Sequence, residues 1–315
     1  MLKAKRLLAT GLAMISAVVV LFTVATASAA EPLVNVDWVK ANSGKAGVVF
    51  IDVRSKSDFL RGHIPGAVNT SYGKSGWRVS LGGVPGMLPE NTANLGTMIG
   101  DLGIDNNTEV VLVAPGNNST DMGIATRMYW TFKVLGHDNV SILNGGMKAY
   151  LAAQDKAGKP TNPLQKGQPN IRKKTFNISL RKDMLPTTLD VQAALKSGMV
   201  LIDNRPASQY MGVNRHPKAQ ASGTIPGALS MPQSWLTENG GGMFRSKSTI
   251  AQLYKAAGVP TSGAQISFCN TGHWASVGWF ASSEILGNKD AKMYDGSMLA
   301  WTMAKLPTET KISIQ

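Results

Sequence analysis

Cys269 is the only cysteine among 315 residues. The segment it opens, Cys269-Asn270-Thr271-Gly272-His273-Trp274-Ala275, has the greatest chemical capacity in the chain. A thiolate is a nucleophile and a carrier of oxidised or transferred groups. A single thiol forms no intramolecular disulfide, so its chemistry or its burial must account for it. The apolar run Ala264-Gln265-Ile266-Ser267-Phe268 leads into Cys269, and a helix-compatible run from Val277 to Leu286 follows the loop. A cysteine between a strand end and a helix start meets converging backbone N–H groups and the positive end of a helix dipole. Both favour an anion on sulfur. Gly272 lets such a loop fold back with its amides pointing inward.

Other cysteine chemistries fit less well. A phosphatase loop needs an arginine after five intervening residues to clamp the phosphate, and Ala275 stands at that position. A cysteine protease needs a histidine base with an orienting partner. His273 is near enough in sequence, but the other histidines lack motif context: His63 reads as a turn residue bonding backbone, His137 and His216 as solvated surface. Metal-ligand spacing and a glycine-rich nucleotide fingerprint are both missing, so neither a metal nor a cofactor is expected. The tryptophans read as core, except Trp274, which is placed to wall the sulfur pocket.

The elements that position this loop occur twice. Leu135-Gly136 through Asn144-Gly145-Gly146-Met147-Lys148-Ala149-Tyr150 returns 151 residues later as Leu286-Gly287 through Asp295-Gly296-Ser297-Met298-Leu299-Ala300-Trp301. The same offset relates Val49-Phe50-Ile51-Asp52-Val53-Arg54 to Val200-Leu201-Ile202-Asp203-Asn204-Arg205. Ile64-Pro65-Gly66-Ala67 pairs with Ile225-Pro226-Gly227-Ala228, displaced by an insertion in the second copy. Three matches in one order indicate a duplication. Val48–Val53, Glu109–Val113, Met199–Asp203 and Gln265–Phe268 read as buried strands; Thr188–Lys196 and Ser248–Ala257 have helical spacing. Alternating strands and helices predict an α/β fold of two lobes, each a mostly parallel sheet flanked by helices.

Lys3, Lys5 and Arg6 precede an uncharged run from Leu7 to Ala29 that ends in Ala27-Ser28-Ala29. This predicts a secretory signal peptide over residues 1–30, with an uncleaved anchor as the alternative. The mature chain is then exported, periplasmic in a Gram-negative source, with no stable membrane association after cleavage. Loss of the signal lowers the formal net charge from +13 to +10. With 16% charged and 43% hydrophobic residues, the remainder is globular. Nucleic acid is not an expected partner; small anionic substrates fit the charge. The expected units are a first lobe at 31–153, a basic linker at 154–175 rich in proline and glycine, and a catalytic second lobe at 176–315.

With these residues in place the chain resembles the tandem-domain rhodanese family of sulfurtransferases. The resemblance rests on Asp52-Val53-Arg54, Phe59 and Gly62-His63-Ile64-Pro65-Gly66-Ala67-Val68-Asn69 in the first copy. In the second it rests on Asp203-Asn204-Arg205, Tyr210, Gly223-Thr224-Ile225-Pro226-Gly227-Ala228, Tyr294-Asp295-Gly296-Ser297 and Trp301. It implies attack of the Cys269 thiolate on an anionic sulfur donor, a persulfide on Cys269, and transfer to a thiophilic acceptor such as cyanide, a thiol or an acceptor protein. Copy one has Ala114 where copy two has Cys269, which implies a structural partner that walls the site.

Asn270-Thr271 matches neither the basic pair of thiosulfate-type members nor the Gly and Ser of mercaptopyruvate-type members. Thr224 replaces the usual histidine, and Gln209 stands where an arginine is usual. The donor is therefore open among thiosulfate, mercaptopyruvate and polysulfide. Asn270, Thr271, Gly272, His273, Trp274 and Ala275 are the expected binding residues around Cys269. Arg205 and Arg215, the latter in the Met211–Ser222 insertion, are the candidate cations, with Arg205 also read as an internal salt bridge to Asp203. The rival function is a module that relays sulfur to a partner protein or only binds it.

Overall fold

A computed structural model describes residues 30–313; the predicted signal peptide lies outside the described residues, apart from Ala30. The first lobe runs β1 (Leu33–Val34), α1 (Val36–Asn42), β2 (Val48–Asp52), α2 (Lys56–Arg61) and β3 (Val68–Asn69). A hairpin of β4 (Val79–Leu81) and β5 (Val84–Met87) follows. Then come α3 (Ala93–Asp101), β6 (Glu109–Val113), α4 (Ser119–Val134), β7 (Val140–Leu143) and α5 (Gly146–Leu151). The second lobe begins with α6 (Thr188–Ser197), β8 (Val200–Asp203), α7 (Ala207–Tyr210) and β9 (Leu229–Ser230). It ends with α8 (Lys247–Ala256), β10 (Gln265–Phe268), α9 (His273–Phe280), β11 (Ala291–Met293) and α10 (Ser297–Met303).

Both main sheets are wholly parallel, ordered β1-β7-β6-β2-β3 and β11-β10-β8-β9. Parallel strands are covered on both faces, which is why β6 is almost continuously apolar and β10 is buried throughout, Gln265 and Ser267 included. Outer faces carry separate cores, with Phe50, Phe59 and Tyr150 in the first lobe and Phe268, Tyr294 and Trp301 in the second. The inner faces share one core that runs from Trp77 and Phe132 through Tyr129 to Trp279 and Phe280. Each of these side chains, fully buried, contributes about 2–3 kcal/mol. At its centre α4 packs on α9. Small residues permit the approach, and Thr126 Oγ1 lies 2.7 Å from Ser276 Oγ across the seam. Tyr129 also donates to Glu284 across it, at 2.8 Å.

Residues 152–187 hold no long regular element, yet they do not trail through solvent. Gln165 pairs with His63 in both backbone directions, Ser179 and Arg181 donate to Leu135 and Val134, and Phe176 is buried. The segment is a strap along the first lobe. His63 behaves as read, its Nδ1 bonding Phe59 O at 2.8 Å. His137 does not: it is buried at 3% exposure between Phe132 and Phe176, because the strap covers a site that the sequence leaves open. His216 is half-buried and its Nδ1 accepts from Lys218 N. Trp235 is 46% exposed and Trp38 only half-buried, so those two are not core residues. No described helix is long and apolar enough to cross a membrane.

Candidate active site

Cys269 follows β10 directly and is 1% exposed. Its N–H donates to Ser297 Oγ at 3.0 Å, and its carbonyl accepts from Met298 N. The N–H of Gly272 donates to the same Ser297 oxygen at 3.1 Å, while the Ser297 hydroxyl donates to Tyr294 O at 2.8 Å. One hydroxyl thus gathers both ends of the loop and uses its full donor and acceptor capacity. Two loop amides accordingly point back at Ser297 rather than inward. The N–H groups of Asn270, Thr271, His273, Trp274 and Ala275 find no acceptor among the described residues. Gly272, at φ +76°, is the N-cap of α9 and supplies no side-chain cap. The start of α9, four residues after Cys269, is therefore left uncapped, the condition under which a helix N-terminus favours an anion.

The loop side chains divide in direction. Asn270 Nδ2 donates to Gln209 Oε1 at 2.9 Å, and its Oδ1 is buried without a partner. Thr271 lies beneath Gly86 of the β4–β5 hairpin. His273 and Trp274 both reach the first lobe: His273 Nε2 donates to Thr120 O at 2.9 Å and Trp274 Nε1 to Thr120 Oγ1 at 3.0 Å. Trp274 therefore closes the seam between the lobes. Ala275 is buried in the first turn of α9. Loss of solvent pulls the His273 imidazole down to about 4, so it is neutral in neutral solution.

Charge enters from the lobe that has no cysteine. Arg127 on α4 is fully buried, with Nη1 bonding Gly272 O at 3.3 Å and Nη2 bonding Gly86 O at 3.2 Å and the Asp295 carboxylate. Burial and then the Arg78 guanidinium pull Arg127 below the usual arginine range, to about 9, while Tyr72 and then Cys269 oppose that. Arg127 stays cationic at neutral pH. Arg78 donates to Arg127 O at 2.9 Å and stands over the Tyr72 ring. Sequence reasoning missed Arg127 and gave Ser297 no role. A lone arginine in the otherwise uncharged stretch Ile124 to Trp130 was the available signal.

The two arginines singled out from sequence are elsewhere engaged or free. Arg205 is buried and bonds both Asp203 oxygens and Gly223 O, so it is the internal salt bridge and offers no cation to a donor. Arg215 is exposed, with no ion-pair partner among the described residues. Its insertion starts just after Gln209, which touches Asn270, and packs Ala219 against Val84 and Leu299.

Residues 35–153 and 187–304 each match the rhodanese-like domain model. The chain belongs to the rhodanese family. A Mycobacterium bovis relative named "Putative thiosulfate sulfurtransferase 1" is 30% identical over 284 residues, covering 86% of this chain and 94% of its own. A Haloferax volcanii relative of similar name is 29% identical over 286 residues, covering 87% and 94%. Among solved structures, Tum1 from Saccharomyces cerevisiae superposes with a TM-score of 0.73 at 20% identity, over 90% of this chain and 99% of that one. SseA from Escherichia coli, described as a 3-mercaptopyruvate sulfotransferase, gives 0.69 at 23%, over 85% and 98%. At such identities these structures show the shared fold.

Within this tandem rhodanese pair the first half-site is built shut. Ala114 accepts from Met147 N as Cys269 accepts from Met298 N, which fixes their equivalence. The following loop contains Pro115, which has no N–H. Asn118 caps α4 by accepting from Asp121 N, and Asp121 accepts from Asn117 N. A carboxylate thus occupies the place that is open in the second lobe.

Proposed function

We propose that this sulfurtransferase carries sulfane sulfur on Cys269 between an anionic donor and a thiophilic acceptor. The observation that supports it best is the lone thiol just before the uncapped start of α9, where five N–H groups have no acceptor among the described residues. With thiosulfate, the Cys269 thiolate attacks the outer sulfur and the S–S bond breaks with its electron pair leaving on sulfite. The Cys269 persulfide then carries the negative charge on its outer sulfur, facing the loop amides. Cyanide attacks that sulfur, thiocyanate leaves, and the thiolate returns. Mercaptopyruvate would leave pyruvate, and a polysulfide would leave shortened by one sulfur. His273 serves as a neutral hydrogen-bonding wall and moves no proton at neutral pH.

Burial of Cys269 at 1% favours small donors and acceptors over a bulky acceptor protein. Arg215, on the insertion beside Gln209, is our candidate for meeting an anionic donor on entry. Export of the mature chain, to the periplasm in a Gram-negative source, is supported by the basic start and apolar run up to Ala29. Intact-mass measurement after incubation with thiosulfate, mercaptopyruvate or polysulfide is the test. A gain of one sulfur on the wild type and none on Cys269→Ser is expected. Cyanide-dependent thiocyanate formation that survives Cys269→Ser rules the mechanism out.

A further inference from the structure

Each lobe sends a segment over the other lobe's loop, and the two coverings are nearly alike. Leu88 N donates to Asp295 Oδ2 at 2.9 Å; in mirror fashion Phe244 N donates to Asn144 Oδ1 at 2.8 Å. The 151-residue offset that relates Asp52 to Asp203 also relates Asn144 to Asp295, and residues 273–286, the counterpart of α4, contain neither arginine nor lysine. Only the half with the cysteine therefore has the carboxylate and the crossing guanidinium. The cation accompanies the thiol, although it belongs to the other lobe.

We propose that Arg127 is the positioning residue of the cysteine loop, held by Asp295, and that the first lobe's part in catalysis is to supply it. Arg127 touches the carbonyl of Gly272 and is fully buried, so it acts through the loop. The Gly272–His273 peptide is planar and trans, so holding its carbonyl toward Arg127 aims the His273 N–H the opposite way. That N–H is the first of α9 and has no acceptor among the described residues. The same guanidinium and carboxylate hold Gly86 O and Leu88 N of the first lobe, so loop and cover share one anchor. Gly272 admits the contact, since a Cβ there would lie 2.4 Å from Arg127 Nη1.

This inference rests on sulfur transfer at Cys269, and its test has one readout that does not. Arg127→Met, Arg127→Lys and Asp295→Asn are made in the whole chain, with thiosulfate as donor and cyanide as acceptor. Arg127→Met is expected to lower kcat about a hundredfold, the scale of a misplaced catalytic group. KM for thiosulfate should stay within about threefold, because no donor contact is lost. Arg127→Lys restores the charge and should recover about tenfold of that loss. Amide hydrogen exchange over Asn270–Ala275 should quicken in Arg127→Met while β10 stays protected. A folded Arg127→Met with unchanged kcat, or with a raised KM alone, overturns the proposal. Unchanged exchange overturns it as well, whether or not the wild type carries sulfur. A wild type that takes up no sulfur refutes the function and leaves the exchange result to decide the positioning role. Should Arg127→Met fail to fold, Arg127→Lys and Asp295→Asn decide by the same measurements.

Discussion

Ser297 holds Cys269 from behind: its hydroxyl oxygen accepts the Cys269 N–H at 3.0 Å and stands at φ +49°, a left-handed conformation. The 151-residue offset places Gly146 at the same point of the first lobe, at φ +60°. Glycine takes that conformation freely and serine does so at a cost of about 1 kcal/mol or more. The strain is retained only where there is a cysteine loop to gather. Ser297→Ala keeps the strain and leaves two buried N–H groups unpaired, at about 1–3 kcal/mol each. Ser297→Gly loses the same bonds but relieves the strain. Both variants are expected to lose at least about tenfold in turnover. The glycine variant should melt at the higher temperature of the two, and the reverse order in a thermal scan would contradict this account.

Ala114→Cys is expected to take up no sulfur. The first lobe's loop has Pro115 in place of one amide donor, and Asn118 and Asp121 already cap α4. A persulfide there would face the Asp121 carboxylate instead of free N–H groups. Intact mass after thiosulfate treatment of Ala114→Cys/Cys269→Ser reads this directly. One added sulfur would show that the nucleophile alone, without the open helix start, suffices.

His273 makes a prediction about pH. Burial lowers its folded value to about 4, below the ordinary histidine range, so the folded chain binds fewer protons than the unfolded one between about pH 6.5 and 4. Its neutral form stabilises the fold fully above that window, and the contribution fades as pH falls through it. The melting temperature of the wild type should therefore drop over this interval more steeply than that of His273→Gln. Comparing the two removes the parallel contributions of buried His137 and of Asp138, which Arg181 holds well below the carboxylate range. Parallel melting curves for the two proteins would exclude a depressed imidazole.

The doubled α/β plan was legible because it rests on local signals. β6 and β10 fall on the predicted residues, and β2, β8, α6 and α8 lie within one residue of the predicted ends. Buried parallel strands declare themselves as short apolar runs, and a repeat multiplies each such signal. The open end of α9 was legible for the same reason, being one loop between a strand and a helix. Arg127 was not, since its partners Gly86, Gly272 and Asp295 come from both lobes and no local pattern unites them. His137 was misplaced for a related reason: the strap residue that covers it, Phe176, lies 39 positions away. The signal-peptide reading falls on residues outside the described structure.

Arg205 and Arg215 separate stability from donor binding. Arg205 and Asp203 are both buried, and the carboxylate also accepts from Thr224 Oγ1 at 2.8 Å. Arg205→Met would strand that carboxylate in the interior, at about 3–5 kcal/mol, and the loss should appear as a large fall in melting temperature. Thiosulfate KM in whatever remains folded should not change, because the buried Arg205 is neutralised by Asp203 and its Nε and Nη2 are taken by Asp203 and Gly223. Arg215 is exposed, so Arg215→Ala should leave melting within about 0.5 kcal/mol of the wild type. Its charge has no ion-pair partner among the described residues, and its insertion follows Gln209, which touches Asn270. We expect Arg215→Ala to raise KM for thiosulfate by about three- to tenfold with little change in kcat, an effect weakened by added salt. A neutral donor such as an organic trisulfide should be insensitive to the substitution. Equal KM for thiosulfate in wild type and variant at low ionic strength would remove Arg215 from the site and leave the loop amides, set by Arg127 and Ser297, to bind the anion.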